Sequence, residues 1–198
     1  SLIPETAVNA INNFEAEKVN TDDFKIFDKG KNIKIINAIS GEILTEKIIG
    51  RPKSIDNYLV SDIDNDILKI AVINRYEKKK IALGFIKNFG LKKGAIASSV
   101  AHDSHNIVVI GCSDEEMAHA ANMIINTKGG LVAWSHDKNI CVPLPIAGLM
   151  TNNDGKKIAA DYQALVTLSK EFGSKLNDPF MTMGFMSFNE NYYRRKLE

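Results

Sequence analysis

The stretch Ser98–Gly111, SSVAHDSHNIVVIG, places Ser98, Ser99, His102, Asp103, His105 and Asn106 directly ahead of a β-branched apolar run. Several chemistries use these residue types. His102 and His105 can bring two imidazoles to one metal ion, with Asp103 as a further ligand or as the partner of one. Against a complete centre, no third histidine lies nearby and neither cysteine stands at ligand spacing. Ser98 or Ser99 can act as a nucleophile if a histidine serves as base and an aspartate orients it. No G-x-S-x-G elbow surrounds them, however. The same side chains can also hold a substrate by hydrogen bonds, or satisfy the backbone of a structural turn. At this point all four readings stay open.

The elements that must position this cluster are legible on both sides. Ile107 to Ile110 reads as a short buried strand, so the cluster is a turn entering a strand rather than a helix face. A helix begins at Ser113, where Ser113 and Glu116 have capping-box spacing, and Met117, Ala121, Ile124 and Ile125 form its apolar stripe. Gly129-Gly130 ends it. Upstream, Ile33 to Ile39 and Glu42 to Ile49 read as a hairpin about Gly41. Ile67 to Tyr76 and Lys80 to Phe89 read as a second. The intervening GRPKSIDNYLVSDIDND reads as loop. Downstream come the strands LVAWS and ICVPL, a helix over Lys156 to Phe172 ended by Gly173, and a strand-like DPFMTMGFMSF.

Strands outnumber helices, and several are joined too briefly for parallel crossovers. The expected fold is α+β, with mixed or largely antiparallel β-sheets packed against two main α-helices. No Gly-rich strand-to-helix phosphate loop is present. In PLPIAGLM, Pro143 and Pro145 remove backbone donors, which places Pro143 to Met150 at an edge or lip. That segment is either an interface or covered core. His119 is expected at the surface or its boundary and His136 in a solvent-facing turn. The methionines of MTMGFM read as core filler.

With 198 residues and a formal net charge of +1, the chain gives no electrostatic reason to expect nucleic acid or a membrane as partner. No apolar stretch approaches the ~20 residues of a membrane span, and no leader opens the chain, so the cytoplasm is the expected compartment. Cys112 and Cys141 read as reduced, buried thiols. Residue 1 is serine, and Leu197-Glu198 resembles a cloning remnant, so the chain is expected to be a piece of a longer polypeptide. Residues 1–25 read as an irregular lead-in, 26–188 as one domain and 189–198 as a divergent tail.

Several long segments carry a family resemblance. KIALGFIKNFGLKKGAIASSVAHDSHNIVVIGCSDEEMAHAANMI, then GGLVAW, PLPIAGLM and DPFMTMGF, closely resemble the C-terminal domain of bacterial and archaeal adenine deaminases. The likeness runs from about Asp23 to Phe185, and the tail FNENYYRRKLE departs from it. The resemblance implies a parent enzyme of the amidohydrolase superfamily that hydrolyses adenine to hypoxanthine and ammonia. It implies a divalent manganese or iron centre in a preceding barrel, and a homo-oligomer. Such a barrel takes about 250 residues, more than this chain contains, and no H-x-H pair is present. No cofactor is therefore expected for this chain alone. Its expected role is accessory: Ala101 to Asn106 projects to the barrel mouth of the same or a neighbouring subunit and helps close the site or hold adenine. The rival readings are an autonomous purine- or metal-binding module and an independent hydrolase built on the serine, histidine and aspartate cluster.

Overall fold

Residues of period two organise the centre of the fold. The computed structural model describes residues 11–42, 45–78, 80–102 and 104–186. Its strands are β1 (Ile26–Phe27), β2 (Ile33–Asn37), β3 (Glu46–Gly50), β4 (Ser54–Ile55), β5 (Tyr58–Leu59), β6 (Ile67–Ile73), β7 (Ile81–Lys87), β8 (Ala95–Ser98), β9 (Ile107–Gly111), β10 (Gly130–Trp134) and β11 (Asn139–Pro143). The helices are α1 (Asp114–Thr127), α2 (Gly155–Glu171) and α3 (Pro179–Phe185), with a 3-10 turn at Thr21–Phe24 in the lead-in. Eight strands form the main sheet in the order β11-β10-β8-β9-β6-β7-β2-β3, antiparallel except where β2 runs beside β7. The class is α+β, as the short strand connections imply.

Alternation sends the two faces of the sheet to different helices. Leu68, Ile70, Ile96, Val108 and Ile110 pack with Leu165 and Phe172 near α2 and with Phe180 and Met183 of α3. Ala71, Ile73, Ala97, Ile107 and Val109 pack with Met117, Ala121 and Ile124 of α1. Full burial of one such aliphatic side chain is worth about 1.5–3 kcal/mol, so this two-faced pattern fixes the layers.

Both hairpins form in the expected regions, as do α1 and α2. At the start of α1, Ser113 Oγ accepts from the Glu116 amide at 3.2 Å. The Glu116 carboxylate does not complete the reciprocal box. It accepts instead from Gly94 N–H at 2.7 Å and from Ser113 Oγ–H at 3.0 Å, which ties α1 to the entry of β8. Asp154 caps α2 by accepting from the amides of Lys156 and Lys157.

Two expectations are corrected. Pro179–Phe185 is a helix, not a strand. Asp178 accepts from Met181 N–H at 2.9 Å, and Pro179 in the first turn has no N–H to leave unpaired. Met183 and Met186 enter the core while Met181 stays exposed. The segment read as loop contains β4 and β5, which with β1 form a three-stranded sheet. Asp56 and Asn57 both have left-handed backbones, the signature of a type I′ hairpin. This small sheet packs Leu59 and Ile26 onto Ile35, Ile67 and Phe85.

Lys69, fully buried, lies on the α1 face of central β6. Its Nζ donates to Phe24 O at 2.9 Å and pairs with Asp114 at 2.5 Å. Burial holds this ammonium below the ordinary lysine range, and the Asp114 carboxylate partly offsets that. The pair clamps the lead-in to the first turn of α1. The thiols are free; burial pushes Cys112 up to about 12 and raises Cys141, which is half-buried.

Candidate functional site

One end of the main sheet gathers the irregular segments. The last residues of β6, β8 and β11 lie there beside the first residues of β9 and β10. Residues 98–106 leave β8 and enter β9 at this end, and residues 143–150 leave β11. Lead-in residues join them, since Ala147 N–H donates to Ile11 O and the Asn12 amide donates to Lys128 O and Pro145 O.

The serines are scaffold. Ser98 Oγ accepts from Val100 N–H at 2.9 Å. Ser99 is fully buried. Its hydroxyl donates to Gly148 O at 2.5 Å and accepts from Gly130 N–H at 2.8 Å, joining three segments. Among the described residues neither hydroxyl bonds a histidine, so the geometry assembles no serine nucleophile with its base.

The histidines face different surroundings. His102 is exposed and lies flat on Phe185 of α3, ring centroids 4.9 Å apart, while its amide donates to Gly184 O at 2.8 Å. His105 is half-buried in a left-handed conformation at φ 50° and its amide donates to Ala101 O. That backbone region is costly for a side chain this size. Its Nδ1 is buried with no hydrogen-bond partner. Asn106 Oδ1 accepts from the Arg75 amide at 3.2 Å. Asp103 lies outside the described residues.

Arg75 is the hub that the sequence did not disclose. Only 4% exposed, it donates from Nη1 to Ala147 O at 2.6 Å and from Nη2 to Tyr76 Oη at 2.7 Å. Its own carbonyl accepts from Glu15 N–H at 2.6 Å. Gly148 has a left-handed backbone, which favours glycine, and a Cβ there would displace the Arg75 guanidinium. The one legible signal was the glycine inside the two-proline segment.

Unpartnered polar atoms concentrate at this end. Asn12 Oδ1, Arg75 Nε, Ser104 Oγ and His105 Nδ1 are buried without partners, and among the described residues only Ser174 Oγ shares that state elsewhere. Burying such an atom unpaired costs about 1–3 kcal/mol, so this end of the sheet carries most of that cost among the described residues. Around them Ile11, Val100, Met150 and Met181 expose large apolar side chains. No three His, Cys, Asp or Glu residues among those described are placed to hold a metal ion. The described residues of this end do not fit a metal centre.

The sequence profile described as "Adenine deaminase C-terminal domain" matches residues 42–191. The chain belongs to that family. The adenine deaminase C-terminal domain here is 49% identical over 189 residues to the adenine deaminase of Borreliella afzelii, covering 94% of this chain and 34% of that relative. It is 42% identical over 186 residues to that of Methanosarcina barkeri, covering 90% and 34%. The adenine deaminase of Kosmotoga olearia is 42% identical over 181 residues, covering 90% and 31%. The chain thus spans about a third of the length of the curated relatives it matches. Arg75 and the segments 98–106 and 143–150 all fall inside the family match, while the lead-in falls outside it. No helix among the described residues is long and apolar enough to cross a membrane.

Proposed function

We propose that this adenine deaminase C-terminal domain closes the adenine site of the parent enzyme with the sheet end built by residues 98–106 and 143–150. In this reading the remainder of the parent chain is a metal-bearing amidohydrolase barrel, with manganese or iron, acting in the cytoplasm as a homo-oligomer. There water replaces the exocyclic amine of adenine, the C–N bond breaks, and hypoxanthine and ammonia leave. The barrel supplies the activated water. This domain supplies hydrogen-bonding side chains and excludes solvent. His102, Asp103, His105 and Asn106 are its substrate-side groups, while Ser98 and Ser99 fix the loop that carries them.

The observation that supports this reading is the group of polar side chains at one end of the sheet, among which His102 is exposed and lies against Phe185. The exposed apolar side chains beside them suit a surface that a second domain covers.

The test is a full-length adenine deaminase carrying this domain with His102→Ala and His105→Ala. The expected result is kcat/KM for adenine reduced at least about tenfold, the loss of roughly one 1.4 kcal/mol interaction. The melting temperature should stay near that of the parent. Unchanged kinetic constants with a lowered melting temperature would show that the cluster only knits the domain together.

A further inference from the structure

The short helix α3 has its place in the fold set from its first turn. Asp178, its N-cap, accepts from Met181 N–H at 2.9 Å. The same carboxylate holds α2, because the Tyr162 hydroxyl lies 2.8 and 2.7 Å from its two oxygens. Burial and that carboxylate raise the phenol above its ordinary range, so the hydroxyl stays a donor. Phe180 and Met183 then bury one side of α3 in the core that Ile96 and Val108 share.

The far end of α3 lies against residues 98–106. Gly184 comes so near Val100 that a Cβ would sit 3.0 Å from the Val100 carbonyl oxygen, which favours the residue without one. His102 N–H donates to Gly184 O at 2.8 Å. The imidazole lies on the Phe185 ring, with centroids 4.9 Å apart and planes 7° from parallel. Backbone and side chain of His102 are thus both referred to one helix end.

A histidine side chain has two torsions and a choice of rotamers. His102 is exposed, so burial does not make that choice. A parallel ring against it does, because an aromatic pair is favoured over separated rings by enough to shift a rotamer population severalfold. Phe185 is itself half-buried on a helix and packed against the core. A group referred to such an element is aimed more closely than one held by a loop alone.

We infer that Phe185 is a positioning residue for adenine deamination: it selects the orientation in which the His102 imidazole meets the substrate. The Tyr162–Asp178 bond places the helix that carries it. The inference rests on the reading of His102 as a substrate-side group. Phe185 acts on the reaction only through that imidazole.

The test is a double-mutant cycle in a full-length adenine deaminase carrying this domain, with activity counted per folded molecule. His102→Ala should lower kcat/KM for adenine at least about fivefold, as for one lost hydrogen bond. Phe185→Leu keeps an apolar side chain and should lower it about threefold to tenfold, the worth of an aromatic pair, while Phe185→Tyr should recover it to within about twofold. In the His102→Ala background Phe185→Leu should do nothing further. Should Phe185→Leu not fold, Tyr162→Phe carries the same cycle: it removes one hydroxyl and should cost about twofold, again only while His102 is present. Equal losses with and without His102, or no loss from the Phe185 and Tyr162 variants, would overturn the inference and leave the sheet-end reading standing. So would a silent His102→Ala beside an impaired His102→Ala/His105→Ala enzyme. If kcat/KM survives His102→Ala/His105→Ala, both fall together.

Discussion

Arg75 and Ala147, 72 residues apart in sequence, are joined by a 2.6 Å hydrogen bond from a buried guanidinium to a backbone carbonyl. The bond holds a non-glycine residue in the left-handed region at φ 54° and fixes residues 143–150 against the segment that leaves β6. Arg75→Ala should lower the unfolding free energy by about 2 kcal/mol, since two part-buried acceptors, Ala147 O and Tyr76 Oη, lose a charged donor. Urea denaturation measures it. Arg75→Lys should recover less than half, because one ammonium on a flexible stem cannot match the fork that serves Ala147 and Tyr76 together.

Lys69 and Asp114 make a second buried link, with asymmetric consequences. Asp114→Ala leaves a buried ammonium without its carboxylate and should cost about 3 kcal/mol. Lys69→Met leaves Asp114 at a helix N-terminus, where a carboxylate is welcome, and should cost about 1 kcal/mol. The pH dependence follows from the lowered Lys69 value. Between that value and the unfolded 10.5, the unfolded chain binds more protons than the folded one, so stability rises with pH. The stability difference between the parent chain and Lys69→Met should therefore move in favour of the parent as pH approaches 10.5. A flat difference between pH 8 and 10.5 would contradict the burial of the charge.

Ser99 separates scaffold from chemistry. Ser99→Ala orphans Gly130 N–H and leaves Gly148 O without its hydroxyl donor, a loss of about 2 kcal/mol. In a full-length enzyme, turnover per folded molecule should persist. Complete loss of turnover in a folded variant would make Ser99 a reacting group after all.

The two thiols should react in a fixed order. Cys112 is buried with its value pushed up to about 12, and Cys141 is half-buried and raised less far. At pH 8 neither is substantially thiolate, so labelling with a disulfide reagent should be slow. Cys141 should precede Cys112, and the second equivalent should appear only in denaturant. Rapid labelling of Cys112 would show that the β9–α1 junction opens readily.

Local signals account for what was readable in the sequence. The hairpins β2–β3 and β6–β7 carry β-branched runs with turn residues between them, and Ser113 and Asp154 mark the helix starts. In FMTMGFMSF, alternation of large and small residues imitated a strand, whereas Asp178-Pro179 was the decisive signal because it acts on the backbone directly. Two-residue strands such as β4 and β5 have no period to detect, and they exist only because Ile35 and Phe85 give them something to cover. At the sheet end, the polar turn of residues 98–106 was visible as a cluster. Which of its groups are already bonded was not, because Ser99 meets Gly130 and Gly148 through pairings 31 and 49 residues long. Arg75 was invisible for the same reason.

The parallel register between β2 and β7 has two pairs, Ile36–Ile86 and Asn37–Lys87, extended by Ala38 N–H to Lys87 O and by the Asn88 amide on Ala38 O, whereas β6 and β7 are matched along seven residues from Ile67 to Ile73. The sheet accordingly has a seam. Opening there releases the β2–β3 hairpin while β6, β8, β9 and their helices stay closed, a partial unfolding unit in its own right. Its amides should exchange with deuterated solvent well ahead of those in β6 and β9. Any protease that nicks the folded protein in its sheet should then find its first foothold on the far side of that seam.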